Sequence, residues 1–237
     1  MFVDLYYIIA GLTWLLSLVV SKKMQHTYAQ WNQVRTVTGA TGHQVARTIL
    51  DANGLNRLPV EPTGGKLTDH YDPRDKHISL SEGNYYGNSV SATAVSAHEC
   101  GHALQDADNY GPMELKSKLV PLAQVAARFG LPAAVGGSFL GFPLLVQIGL
   151  LAYAGSIGVY FLTLPVEFNA SKRALQQLES LRLVSPDGRD GAKKVLRAAA
   201  LTYVAGAATS AGYVLYLALI YGGALFGKKP PPLPPSV

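Results

Sequence analysis

Between Leu119 and Val166 the only ionisable side chains, tyrosines apart, belong to Arg128. That stretch is too long for a single crossing of a bilayer, which takes ~20 residues, and about right for two. Gly141-Phe142-Pro143 breaks it near the middle. A second apolar run, Val3 to Val20, contains one charge, Asp4, and is followed at once by Lys22-Lys23. It reads as a retained anchor, because its start carries Asp4 in place of Lys or Arg and the positive pair follows the run. A third run, Ala198 to Leu225, is rich in Ala and Gly, as helices that pack closely in lipid often are. With 49% hydrophobic and only 15% charged residues, the chain is expected to be a mainly α membrane protein with about four transmembrane helices.

Orientation follows from the basic residues. The segment from Ser21 to Lys118 carries ten Lys and Arg and the segment from Glu167 to Arg197 seven, leaving Arg128 and Lys228-Lys229 elsewhere. Positive residues collect on the cytoplasmic side, so both polar segments are expected there. The parity of the spans agrees: one helix in, a hairpin out and back, one helix out. The expected layout is an N-terminal transmembrane helix (1–20), a cytoplasmic part (21–118), a transmembrane hairpin (119–166), a cytoplasmic helical segment (167–197), a C-terminal transmembrane helix (198–225) and a Pro-rich tail (226–237). The basic pI, near 9.2, then reads as orientation and attraction to anionic headgroups; no nucleic-acid motif accompanies it.

Within the first polar segment lies Ser96-Ala97-His98-Glu99-Cys100-Gly101-His102. On a helix, imidazoles four residues apart share one face, where they can hold a zinc ion at about 2.0–2.1 Å per nitrogen. Glu99 then stands beside the metal without ligating it, the place of the general base in H-E-x-x-H hydrolases. Ser89 or Asn88 can cap such a helix, which ends near Asp108-Asn109. Gly101 inside it costs about 1 kcal/mol relative to Ala and implies a close approach of backbone or substrate. Cys100 points to the opposite side and is expected to be a small buried hydrophobe. A lone cysteine also excludes an intrachain disulfide.

Around that helix the sequence predicts a small α+β part. Thr41 caps a helix through Asp51 with Gly54 just past its end. Gly64-Gly65 introduces a short β element, Tyr71-Asp72-Pro73-Arg74-Asp75 reads as a turn, and Lys76-His77-Ile78-Ser79-Leu80-Ser81 alternates like a half-buried strand. An edge strand at His77, Ile78, Ser79 and Leu80 could bind extended peptide by pairing; a sheet that merely covers the helix fits equally. His26, His43, His70 and His77 lack ligand spacing, though His70 or His77 could help bind an oxyanion.

A catalytic zinc site usually has three protein ligands and one open position. No third His follows at short distance, so a carboxylate from a second helix is expected. Glu167 is the only carboxylate where the hairpin re-emerges, with Pro165 placed to open a helix and Glu167 in its first turn. The rival explanation is an acidic residue favouring a helix N-terminus.

These residues carry a resemblance. Tyr71-Asp72-Pro73, Ser96 through Gln105, Thr163-Leu164-Pro165-Val166-Glu167-Phe168-Asn169-Ala170-Ser171, and Gly191 through Leu196 leading to Ala199 through Val204 resemble membrane zinc metallopeptidases of the bacterial YugP type, distant relatives of the Glu-zincin membrane peptidases. The resemblance spans nearly the whole chain. It implies a multi-pass protein of the bacterial plasma membrane with a zincin-like part facing the cytoplasm, one zinc ion per chain on His98, His102 and a downstream Glu, and a protein or peptide substrate, membrane-associated or not. The wider group places an Asp four residues after the third ligand. Here Ser171 stands there, and Asn169 is expected to orient a ligand through a hydrogen bond instead. Two other readings stay open. One is a non-enzymatic scaffold that keeps zinc for folding; the other is a transporter, for which Arg128 would mark an ion path.

Overall fold

A computed structural model describes residues 2–225; the expected Pro-rich tail lies outside the described residues. Those residues are mostly helical. The order is α1 (Phe2–Asn32), α2 (Gly42–Ala52), β1 (Val60–Thr63), β2 (His70–Asp72), β3 (His77–Ser81), α3 (Glu82–Tyr85), α4 (Val90–Ala107), α5 (Gly111–Leu140), α6 (Pro143–Ser180) and α7 (Pro186–Leu225). Four helices, α1, α5, α6 and α7, are long and apolar enough to cross a membrane.

The chain forms two compact units. One gathers the chain up to Val19, Leu115–Thr163 and the chain from Tyr203 onward. Here α5 and α6 meet through glycine: a Cβ built on Gly149 would lie 2.5 Å from both the Gly130 oxygen and the Ala134 nitrogen. Only the missing side chains let these backbones approach so closely. Ala134, Val146 and Leu150 are buried, whereas Leu122, Phe139, Leu144 and Leu151 face outward. That inversion suits hydrocarbon surroundings. The Arg128 guanidinium lies 5.6 Å from the centre of the Phe129 ring.

The second unit comprises Val20–Glu114 and Leu164–Thr202. Helix α2 begins with a complete capping box, in which Thr41 and Gln44 satisfy each other's backbone N–H groups. Its apolar stripe, Val45, Ala46, Ile49 and Leu50, is fully buried and belongs to one core with Ile78, Leu80, Ala97, Cys100, Val166, Ala174 and Leu178. Ser89 caps α4 by accepting from the Ala92 N–H. The hairpin of β2 and β3 is tied to the end of α4, where the Tyr71 hydroxyl donates to Asp106 at 2.8 Å. Burial, then that carboxylate, push the Tyr71 phenol above its ordinary pKa, so it stays a donor.

Three expectations change. The sheet order is β1-β3-β2, with β3 parallel to β1 and antiparallel to β2. His77–Leu80 therefore form the central strand, and both of its hydrogen-bonding edges are already taken. They cannot receive a substrate strand. Nor is the strand half-buried: Ser79 and Ser81 are covered too, and Ser81 is satisfied there because its N–H and hydroxyl both donate to Asp69. Second, Tyr71 and Asp72 belong to β2, and the turn is confined to the residues after them. There the Arg74 guanidinium holds the Asp72 carboxyl well below the usual carboxylate range. Third, Pro165 opens no helix. It lies inside the uninterrupted α6, forgoing one backbone bond in an apolar helix whose buried stripe Val166, Ala170, Ala174 and Leu178 continues beyond it. The explanation of Glu167 as a residue at a helix N-terminus falls with that.

Helices α4 and α6 touch at Gly101, where a Cβ would lie 2.4 Å from the Ala170 carbonyl oxygen. Gly101→Ala should force them apart and lower stability by roughly 1–3 kcal/mol, as overpacking does. The expected sign is a fall in the thermal unfolding midpoint of the detergent-solubilised protein.

Candidate metal centre

Helix α4 presents His98 and His102 on one face, with ring centroids 4.8 Å apart. Helix α6 brings Glu167 to them from 69 residues beyond His98 in sequence. The Glu167 Oε2 lies 3.2 Å from His98 Nε2 and 3.4 Å from His102 Nε2. All three side chains are largely shielded, at 14%, 8% and 3% exposure for His98, His102 and Glu167. Their ligand atoms lie within 4.8 Å of one another, and no other such group of three His, Cys, Asp or Glu occurs among the described residues.

The outer nitrogen of each imidazole also has a partner. His98 Nδ1 lies 3.2 Å from the Ser171 hydroxyl, and His102 Nδ1 lies 3.0 Å from Gln105 Oε1. Gln105 is fully buried. Its Nε2 donates to the Val166 carbonyl at 2.8 Å and to Asn169 Oδ1 at 2.9 Å. Asn169 Oδ1 in turn accepts from Arg173 Nε at 2.9 Å, and Arg173 also pairs with Asp108 just past the end of α4.

Gln105 Oε1 can only accept, so a neutral His102 carries its proton on Nδ1 and turns its Nε2 lone pair to the buried carboxylate, and a neutral His98 does the same when the Ser171 hydroxyl accepts. Two nitrogen acceptors and a carboxylate oxygen converging in a shielded space repel one another until a cation stands among them. The ligand set, two imidazoles and one carboxylate, is among those that catalytic zinc takes. The residues present therefore fit zinc. Glu99, next to His98 on α4, is buried at 7% exposure.

Other sequence expectations resolve differently. Ser171 meets a histidine directly, whereas Asn169 reaches His102 only through Gln105. His70 and His77 meet edge to face with ring centroids 6.1 Å apart, and His70 Nδ1 lies 2.9 Å from the Thr68 carbonyl. Gln105 was not anticipated in any role. The signal available was an amide three residues after His102, on the helix face that carries the ligands.

Comparison with known proteins agrees with this chemistry. Residues 6–222 match the profile of a family described as "putative neutral zinc metallopeptidase". A Bacillus subtilis (strain 168) protein named "Putative membrane protease YugP" is 42% identical over 199 residues, covering 84% of this chain and 88% of the relative. No solved structure matches the chain.

Cys100, between the two histidines in sequence, faces the other way, with its sulfur 3.7 Å from the Ala46 carbonyl. Burial first, and the nearby Glu99 charge second, push its thiol pKa up. Thiolate is the reactive form, so Cys100 should resist alkylation at mildly alkaline pH in the folded protein and react fully once the chain is denatured. Mass spectrometry of maleimide-treated samples reads both states.

Proposed function

The chain belongs to the neutral zinc metallopeptidase family, and from that premise we propose that it is a membrane-embedded endopeptidase with one zinc ion held by His98, His102 and Glu167. The observation that carries this reading is the convergence of two imidazole nitrogens on a buried carboxylate. Zinc, when bound there, lowers the pKa of a water to roughly 7 and polarises the scissile carbonyl. Glu99 takes the proton of the attacking water onto its carboxylate and returns it to the nitrogen of the leaving amine. Ser171 and Gln105 hold the two imidazoles so that their Nε2 lone pairs stay inward.

The reading extends to place and partners. The protein crosses the bacterial plasma membrane several times, with 1–20, 119–166 and 198–225 in the bilayer and the polar segments 21–118 and 167–197 in the cytoplasm, where the basic residues collect. Its substrate is a protein or peptide, reached at or near the bilayer surface.

Glu99→Gln should keep zinc and lose on the order of 10²–10⁴ in the rate of casein-type peptide cleavage, because the ligands survive while the base does not. In the same panel Glu167→Ala should lose zinc as His102→Ala does. Glu179→Ala should not, since Glu179 pairs with Arg189 at 3.1 Å away from the centre. Full cleavage by Glu99→Gln would end the mechanism, zinc retention in Glu167→Ala would end the ligand assignment, and zinc without hydrolysis in the wild type would favour a scaffold.

Sidedness has its own check. In an otherwise Cys-free variant, cysteines at Lys66 or Arg182 should escape membrane-impermeant thiol reagents in intact cells, while one at Phe142, in the turn between α5 and α6, should be labelled. The reverse pattern would overturn the cytoplasmic placement.

A further inference from the structure

The side chains around Gln105 form a chain of hydrogen bonds whose directions are fixed by chemistry. Arg173 is a guanidinium and can only donate. The Asn169 atom 2.9 Å from Arg173 Nε must therefore be the amide oxygen. The same oxygen lies 2.9 Å from the Gln105 side chain, so Gln105 presents its NH₂ there. The Val166 carbonyl, which can only accept, demands the same orientation independently, at 2.8 Å. One atom of Gln105 is then left for His102, the carbonyl oxygen, 3.0 Å from Nδ1. It requires a proton on Nδ1 and leaves the Nε2 lone pair aimed at Glu167.

From this we infer that Gln105 is a positioning residue for the metal centre, held in its working orientation by Asn169 and Arg173. It acts on both helices at once. Its oxygen sets the ring and proton of His102 on α4, and its NH₂ grips the carbonyl of Val166, the residue before Glu167 on α6. Removing either side of the amide would loosen one ligand or the backbone next to another. Arg173 contributes direction alone: it fixes which atom of Asn169 faces Gln105 while Asp108 anchors the guanidinium to the end of α4. Gln105 has no solvent exposure, so water cannot replace it, and an apolar residue there would leave the Val166 bond and the His102 proton unmatched.

This inference rests on the proposed metal site, and a measurement of zinc affinity separates the two. Full-length protein in detergent would be titrated with zinc against a chromophoric chelator, beside peptide cleavage and the unfolding midpoint of the metal-free form. Gln105→Met, close in size, and Asn169→Leu should each bind zinc roughly 10–100-fold more weakly, the usual cost of losing a group that orients a ligand. Asn169→Asp keeps the oxygen that both donors need and should bind zinc as the wild type does. That rescue is not expected of a residue that merely fills space, and it holds the test open should Gln105→Met fail to fold. Wild-type affinity in Gln105→Met, or an Asn169→Asp that falls as far as Asn169→Leu, would overturn the inference alone. A wild type that takes up no zinc would overturn the reading of the site and this inference with it.

Discussion

Two imidazole nitrogens and a carboxylate oxygen pressed together in a shielded space are the constraint around which the second unit is built. Each is an acceptor, and each loses hydration when buried. The fold meets that cost from the outside, by giving every imidazole a partner on its far nitrogen. It meets it from the inside by leaving three ligand atoms within 4.8 Å of one another, a cluster whose repulsion a divalent cation would convert into attraction. The proposed chemistry then needs only one more group, a carboxylate beside the first histidine, and Glu99 follows His98 on α4.

Such a cluster demands that two helices meet at short distance with no side chain between them. Gly101 and Ala170 supply the contact on α4 and α6, and Ala174 continues the narrow seam beyond it. The remaining apolar surface of α4 faces α2 and the sheet, where Cys100 and Ala97 join Ile49, Leu50, Ile78 and Leu80 in the core. The helix that carries the histidines is thus packed on both flanks. A tenth-scale shift of its ring nitrogens would require moving a core, which is how a fold keeps a site within the tolerance catalysis needs.

Much of this was legible in the residues. Four long apolar helices followed from nearly uncharged runs of bilayer length, the caps at Thr41 and Ser89 from hydroxyls ahead of apolar periodicity, and the helical face of His98 and His102 from a spacing of four. Gly101 announced a close approach that Ala170 supplies. The β region was harder, because alternation in His77–Ser81 looks the same whether the polar side chains meet water or a buried acceptor. Asp69, which accepts from Ser81, lies twelve residues away in sequence, and nothing local announces it. Pro165 misled for a related reason: proline ends helices in water, where solvent satisfies the freed groups, and the rule weakens in an apolar helix. Gln105 carries no local signal of its place, because its partners Val166 and Asn169 lie more than sixty residues on.

The separation of 69 positions from His98 to Glu167 also imposes an order in time. A ribosome delivers α4 with both histidines and Glu99 long before it delivers α6, and in the interval the chain holds two ligands, too few to retain zinc in a catalytic set. The hairpin of α5 and α6 must be made before the third ligand can arrive. On the proposed reading, hydrolytic capacity would appear only in a molecule whose intervening helices are complete, and a nascent or truncated chain would stay inert without any inhibitory segment to restrain it.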